Sequence, residues 1–284
     1  MPELPEVETV KNSLREFLLG RKISSIEILR PKSFPFPEKE NFILNQEIVD
    51  FRRRAKFLDL VFANNWHLLT HLKMTGQLLY QNKKNLAGGG HPTADVLQQL
   101  PGKHTRIIYT FDNQSHLYFN DMRVFGWMKV LNETQLKQEY QKLGPDANTE
   151  QFTAAYLITK TQKRKQPIKQ VIMDNEVCCG LGNIYAAETL FAAGIDPRRS
   201  ANLMTKKEVI KIVTEAKRIL NLAISKRGTT FDGRYLDGLG QGGNFESFLQ
   251  IYNHEGDRCK KCGTIIQNVK LGGRSTCFCA HCQI

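Results

Sequence analysis

The sequence predicts an α+β fold: a leading helix and a β-sandwich, then a helical region that ends in a short β-hairpin module. Three observations predict it. Short β-like runs follow one another at close intervals up to residue 131, the texture of a sandwich. Past Leu143-Gly144-Pro145-Asp146 the texture changes to capped helices. The segment 244–284 holds two CxxC pairs. A length of 284 residues suits two domains, or one domain with a small module. The expected boundaries are 1–131, 132–243 and 244–284.

From Glu6 to Leu19 the apolar residues Val7, Val10, Leu14, Phe17 and Leu18 recur at helical spacing, and Gly20 closes the run. Ile23–Leu29 is a strand, and a Pro-rich loop with Pro31, Pro35 and Pro37 follows. Further strands are expected at Glu47–Phe51, Phe57–Phe62, His67–Leu72, Gln77–Tyr80, Thr105–Phe111, His116–Asn120 and Trp127–Leu131. Asn82–Lys103, with Gly88-Gly89-Gly90 and Pro101-Gly102, reads as a long surface loop. Thr149 can cap a helix to about Thr161, and Pro167 can start another to about Asn175. A tight Gly180-Leu181-Gly182-Asn183 turn leads into a helix over Ile184–Ala193, ended by Gly194. Thr205-Lys206-Lys207-Glu208 is a capping box that opens a long helix towards Lys226. Residues 227–243 are Gly-rich and read as a mobile loop.

Charge narrows the function classes. The chain has 40 Lys+Arg against 28 Asp+Glu, a net +12. A polyanionic partner is expected, nucleic acid before an anionic membrane. No secretory h-region and no apolar run of membrane-spanning length occurs, so neither secretion nor membrane spanning is expected. Seven cysteines, an odd number, suggest metal-site usage in a reducing compartment rather than a disulfide framework.

The chain opens Met1-Pro2-Glu3-Leu4-Pro5-Glu6-Val7-Glu8. Removal of Met1, which a following proline permits, leaves Pro2 as a free secondary amine. An α-amino group titrates near about pH 8, so much of it is unprotonated at neutral pH. Such an amine can attack an electrophilic carbon and form an iminium. Glu3 and Glu6 beside it can carry protons. The plain alternative is an acidic helix start with good capping chemistry.

Four thiolates, Cys259, Cys262, Cys279 and Cys282, have the spacing of a closed tetrahedral Zn²⁺ site. Such a site leaves no open position for catalysis; it makes a small module fold. His281 and Cys277 read as bystanders. Lys270 and Arg274 fall at the expected hairpin tip, suited to phosphate or simply solvated. The Gly180–Asn183 turn can present backbone N–H groups to an anion, or be an ordinary helix corner. Lys163, Arg164, Lys165 and Lys169 just upstream favour the anion. Of Arg52, Arg53, Arg54 and Lys56, the alternation sends Lys56 opposite Phe57, towards a cleft. Met74 after His71-Leu72-Lys73, and Phe125 beside Arg123, read as core or as side chains that wedge a base stack. Lys103-His104-Thr105-Arg106 is another basic cluster.

These segments together resemble the formamidopyrimidine-DNA glycosylase family. The opening residues, Arg54-Ala55-Lys56, His71–Met74, Met173-Asp174-Asn175 with Gly180–Tyr185, and Gly273–Thr276 before the last CxxC match in order along essentially the whole chain. The resemblance implies an N-terminal β-sandwich with its leading helix, then a helix-two-turn-helix domain with a zinc-finger β-hairpin, and double-stranded DNA in the cleft between. It implies base-excision repair of oxidised purines, 8-oxoguanine and formamidopyrimidines, by glycosylase and lyase steps with β,δ-elimination. The protein would be a monomer in the bacterial cytoplasm, associated with the nucleoid, with one structural zinc. Carried over, Pro2 is the nucleophile at C1′ and Glu3 the proton donor. Lys56 contacts DNA and assists β-elimination, and Arg274 serves phosphate binding and δ-elimination. His104, Arg123, Arg164 and Asn183 hold the DNA backbone. Met74, Arg123 and Phe125 fill the void left by the flipped base.

Some residues depart from the family pattern. Arg106 stands for a histidine, Cys178-Cys179 for small apolar residues, and Ala280 for a proline. Asp232 stands where some members carry a lysine, in the 227–243 loop that reads the flipped base. Asp59 inside a strand has no evident reason. Two other readings fit less well: an endonuclease VIII-like glycosylase for oxidised pyrimidines, which typically has Gly where Leu4 stands, and a non-catalytic zinc-containing protein that binds damaged DNA. Retention of Pro2, Glu3 and Lys56 together weighs against the binder.

Overall fold

The computed structural model describes residues 2–90, 100–229, 236–237 and 243–284. Its first element is α1, Leu4–Leu18. Leu4, Val7, Val10, Leu14 and Leu18 lie on one face of it and are buried. Burial of such a stripe, rather than helix propensity, holds a helix of this length. Gly20 takes a φ of +76° where the chain leaves the helix, as a residue without a Cβ can.

Among the described residues nine strands follow: β1 (Ile23–Ile28), β2 (Ile48–Arg54), β3 (Phe57–Phe62), β4 (Trp66–His71), β5 (Gly76–Gln81), β6 (Leu86–Gly90), β7 (Thr105–Phe111), β8 (His116–Asp121) and β9 (Trp127–Asn132). β10, Leu236–Asp237, pairs with β6. They form two antiparallel sheets, ordered β1-β7-β8-β5-β6-β10 and β2-β3-β4-β9. The core draws on α1 and both sheets, with Phe51, Leu58 and Phe62 from one and Tyr109, Phe111 and Phe119 from the other. This is the expected sandwich.

The Gly88-Gly89-Gly90 run is a strand, not part of a surface loop. A Cβ on Gly88 would stand 2.0 Å from the Leu78 carbonyl oxygen and 3.2 Å from the Leu14 side chain. The glycines let β6 lie close under α1, and the Ser13 hydroxyl donates to the Gly88 carbonyl at 3.1 Å. Glycine carries no β signal of its own, which hides the strand in the sequence.

The remaining helices are α2 (Glu133–Tyr140), α3 (Ala154–Thr161), α4 (Ile168–Ile172), α5 (Asn183–Ala193) and α6 (Lys206–Ser225). α2 was not expected; Asn132 caps it by accepting from the Gln135 N–H at 2.9 Å. The cap of α3 is Thr153 rather than Thr149: Thr153 Oγ1 accepts from the Tyr156 N–H at 3.1 Å. Thr149 is spent in a turn, its hydroxyl donating to the Asp146 carbonyl. The capping box of α6 is present, with Glu208 accepting from the Thr205 N–H at 2.8 Å. The last sheet is the hairpin of β11 (Gln267–Leu271) and β12 (Arg274–Phe278).

The chain divides into two units: Met1–Gln141 with Lys226–Glu246, and Lys142–Ser225 with Ser247–Ile284. In the second, Cys259, Ile266, Cys277 and Cys279 share a small core with Ala187 and Phe191 of α5.

Candidate functional site

The N-terminal turn is built on Glu6. Pro2, Glu3 and Glu6 are buried. Glu6 Oε2 accepts from the Glu3 N–H at 2.8 Å, and Oε1 accepts from the Thr229 N–H at 2.8 Å. One carboxylate thus fixes the residue after Pro2 and the start of the 227–243 segment. The fit is close. Gly228 has φ +79°, and a Cβ there would lie 2.8 Å from Glu6 Oε1. Most of 227–243, Asp232 included, lies outside the described residues.

Lys56 sits in the tight β2–β3 turn beside Ala55, which has φ +54°. It is 9% exposed, and its ammonium has no hydrogen-bond partner among the described residues. An ammonium held in a tight turn with no partner of its own is available to an anion. Near it, His71 is held down to about 3 by burial and then by the charges of Lys73 and Lys56. It is therefore neutral, and its Nδ1 accepts from the Lys73 N–H at 3.0 Å.

Met74, Arg123 and Phe125 come together. The Arg123 guanidinium stacks 4.8 Å from the Phe125 ring centre and reaches the Met74 sulfur at 3.4 Å. Met74 is 42% and Phe125 47% exposed. Neither is core; they form an apolar patch with a cation on it. Arg106 explains itself by anchoring this region: its Nε donates to the Asp121 carbonyl at 2.8 Å and Nη1 to the Lys103 carbonyl at 3.2 Å. His104 is beside it, with its Nδ1 3.5 Å from Arg106 Nη2.

In the second unit, Asn183 opens α5 after the Gly180 turn, where φ is +105°. Its Oδ1 accepts from Lys169 Nζ at 2.8 Å. Lys169 is fully buried and also donates to Thr276 Oγ1 at 2.9 Å and to the Ser275 carbonyl at 3.3 Å. Lys169 therefore offers no surface charge. It ties the α5 turn to β12, a role the sequence does not signal. Arg164 pairs with Asp174 at 2.6 Å. Burial, the largest single influence, would raise the Asp174 carboxyl, but the Arg164 hydrogen bond, the Glu176 N–H and the charges of Arg164 and Lys160 together outweigh it and hold the group low. Arg274 follows Gly272 and Gly273, with φ of +54° and +76°, in a two-residue turn. Two positive φ values in succession are what such hairpin turns require. Cys178 is fully buried and its thiol is pushed well up by burial and by Cys179, as expected of an inert side chain.

The four thiols of Cys259, Cys262, Cys279 and Cys282 lie within 4.8 Å of one another. Two of the Sγ–Sγ distances are 3.9 and 3.5 Å. A tetrahedron with Zn–S near about 2.3 Å has edges near about 3.8 Å. The four residues fit one structural zinc. Cys277 lies outside the cluster, in the small core behind it.

The comparisons with known proteins cover the chain from end to end. Residues 1–128 match the formamidopyrimidine-DNA glycosylase N-terminal domain, 143–233 the formamidopyrimidine-DNA glycosylase H2TH domain, and 256–284 the zinc finger found in FPG and IleRS. The chain belongs to the formamidopyrimidine-DNA glycosylase family. The formamidopyrimidine-DNA glycosylase of Pelotomaculum thermopropionicum is 38% identical over 288 residues, covering 100% of this chain and 99% of that one. That of Lactobacillus johnsonii is 35% identical, with the same coverage. Among solved structures, the Fpg protein of Thermus thermophilus superposes with a TM-score of 0.85 at 28% identity, over 99% of this chain and 98% of that one. A Lactococcus lactis Fpg mutant in complex with DNA containing Fapy-dG does so with a TM-score of 0.87 at 29% identity, over 99% of each chain. The Lactococcus lactis protein is also known bound to DNA with an abasic site, with a TM-score of 0.86 at 29% identity over 100% of each chain. The fold expected from the resemblance, sandwich, helix-two-turn-helix and zinc hairpin, is present.

Proposed function

We infer that the chain is a base-excision-repair DNA glycosylase for oxidised purines, 8-oxoguanine and formamidopyrimidines, and we propose that it is also a lyase acting through Pro2. The observation that carries the mechanism is the buried N-terminal turn, where Glu6 fixes the backbone of Glu3 directly beside Pro2. With Met1 removed, the Pro2 nitrogen attacks C1′ of the damaged nucleotide, and the glycosidic bond breaks with its electron pair leaving on the base. Glu3 gives a proton to the opening sugar oxygen as the iminium forms. The iminium acidifies the C2′–H; loss of that proton expels the 3′ phosphate, and a second elimination expels the 5′ phosphate. Relatives bound to Fapy-dG and to abasic-site DNA support both the base and the sugar as targets.

A base within a duplex is out of reach, so it is flipped at a cost of about a few kcal/mol. The exposed Met74–Arg123–Phe125 patch is suited to the void this leaves. Lys56, buried and lacking a hydrogen-bond partner among the described residues, is suited to a DNA phosphate and to assisting β-elimination. Arg274, on its Gly-Gly turn, is suited to phosphate binding and δ-elimination. His104, Arg123, Arg164 and Asn183 complete the backbone contacts. Zinc holds the hairpin that carries Arg274. Three functional segments, 1–131, 132–243 and 244–284, divide this work. The protein is proposed to work as a monomer in the cytoplasm at the nucleoid, where its net charge of +12 suits DNA.

Borohydride trapping on duplex DNA containing 8-oxoguanine tests the reading. Wild type gives a covalent adduct that Pro2→Gly does not. An undiminished adduct in Pro2→Gly, or none on any oxidised purine, would overturn it.

A further inference from the structure

Asp121 ends β8 with no exposed surface. A buried carboxylate persists only when donors surround it. Here Oδ1 accepts from the Thr75 hydroxyl and from the Arg123 N–H at 3.1 Å. Oδ2 accepts from the Phe125 N–H at 2.8 Å and from the Gly126 N–H at 2.6 Å. Thr75 Oγ1 itself accepts from the Arg123 N–H at 3.0 Å. The backbone of Asp121 is tied as well: its N–H donates to the His104 carbonyl at 2.9 Å.

The clamped turn is strained. Val124, β-branched, takes φ +54°, and Lys73, next to Met74, takes φ +53°. Such conformations survive where their surroundings over-determine them, and they gather at functional sites. The N–H groups on both sides of Val124's residue, those of Arg123 and Phe125, end on one carboxylate. Gly126 must be glycine, since a Cβ there would stand 2.8 Å from the Phe119 ring.

We propose that Asp121 is the positioning residue of the Met74–Arg123–Phe125 cluster: its carboxylate folds the 121–126 turn and ties it through Thr75 to the 72–75 turn, so the three side chains meet DNA as a preformed wedge. The proposal rests on the void-filling role given to that cluster. Both oxygens of Asp121 accept twice; an isosteric amide can keep the Phe125 and Gly126 bonds on its oxygen, but its NH2 then faces Thr75 and the Arg123 N–H loses its carboxylate acceptor, left with the Thr75 hydroxyl alone. Asp121→Asn therefore keeps the shape of the core and loosens the turn.

The test uses the full zinc-loaded chain. Asp121→Asn, and the combined Met74→Ala, Arg123→Ala, Phe125→Ala variant, are assayed on two substrates. One is a duplex with 8-oxoguanine next to a 2-aminopurine that reports unstacking. The other is a single-stranded abasic oligonucleotide, which has no stack to wedge. Asp121→Asn is expected to slow duplex excision about 10- to 100-fold, as a misplacement of about an ångström does. It should also remove the 2-aminopurine signal and leave borohydride trapping on the single strand unchanged. Adding Val124→Gly should restore part of the duplex rate, because glycine takes positive φ without a clamp. If the combined variant is slow on duplex and Asp121→Asn is not, the positioning role is wrong and the wedge stands. If the combined variant matches wild type, the wedge itself is wrong. Loss of single-strand trapping in Asp121→Asn would make Asp121 a residue of the fold alone. Should Asp121→Asn fail to fold, Thr75→Val decides: slowed duplex excision supports the tie, and an unchanged rate overturns it.

Discussion

The two ends of the chain hold their functional residues by opposite means. At the start, the turn of Pro2, Glu3 and Glu6 is anchored by α1, whose apolar face enters a core shared by two sheets. Its polar groups are satisfied within the protein, two backbone donors converging on Glu6. At the end, Arg274 rides on a hairpin whose small core, cysteines among its members, is shared with Ala187 and Phe191 of α5. There the folding energy must come largely from an ion. A reactive group can thus be placed by packing where a core is available, and by a metal where it is not.

Stripping the zinc breaks this comparison most sharply. Structural zinc contributes on the order of 10 kcal/mol in small modules. Chelation or Cys279→Ser should therefore abolish binding to lesion DNA while the melting of the sandwich stays put. Binding that persists after verified metal loss would show that packing holds the hairpin after all. The next largest effect is expected at the other end. Glu6→Ala orphans two buried N–H groups, at roughly 1–3 kcal/mol each. Excision should fall and the melting temperature should drop with it, by about 2–4 °C per kcal/mol for a unit of this size. A neutral result would mean that α1 alone places the turn.

Asp59 shows what the sequence could not give. It is buried and pairs with His67 Nδ1 at 3.0 Å, and His67 Nε2 lies 3.2 Å from Glu133 Oε2. Burial is the largest single influence and pulls the His67 value down, but the bonds to and charges of Asp59 and Glu133 together outweigh it, and the net shift is upward. A raised folded value means a contribution fully present below the ordinary histidine range and lost as pH climbs through the folded value. Melting of wild type should accordingly fall modestly from about pH 6 upward. His67→Asn should flatten that dependence; an unchanged slope would rule the pair out as its source.

The strands, the long helix, the CxxC pairs and the N-terminal motif were legible because each is local: a period, a cap or a spacing. Partnerships were not. Asp59 with His67, Lys169 with Asn183 and Thr276, and Asp121 with Thr75 join residues that are distant in sequence or in separate elements. No local pattern marks a buried acid as satisfied. Gly88–Gly90 failed for a related reason, since what makes them a strand is the closeness of α1 and Leu78.

The smallest effect expected is electrostatic. If Lys56, Arg123, Arg164 and Arg274 each neutralise one phosphate, log affinity should fall with log salt at a slope of about −3.6. Arg274→Ala should reduce the magnitude of that slope by about 0.9. A flat response would remove the backbone contacts from the account.

The central claim is that the bond to DNA is made by the Pro2 nitrogen, and mass spectrometry of the borohydride-reduced complex tests it most directly. After proteolysis, the sugar remnant should sit on the N-terminal peptide beginning at Pro2. A remnant on Lys56 or another lysine, or on a peptide that still carries Met1, would contradict it.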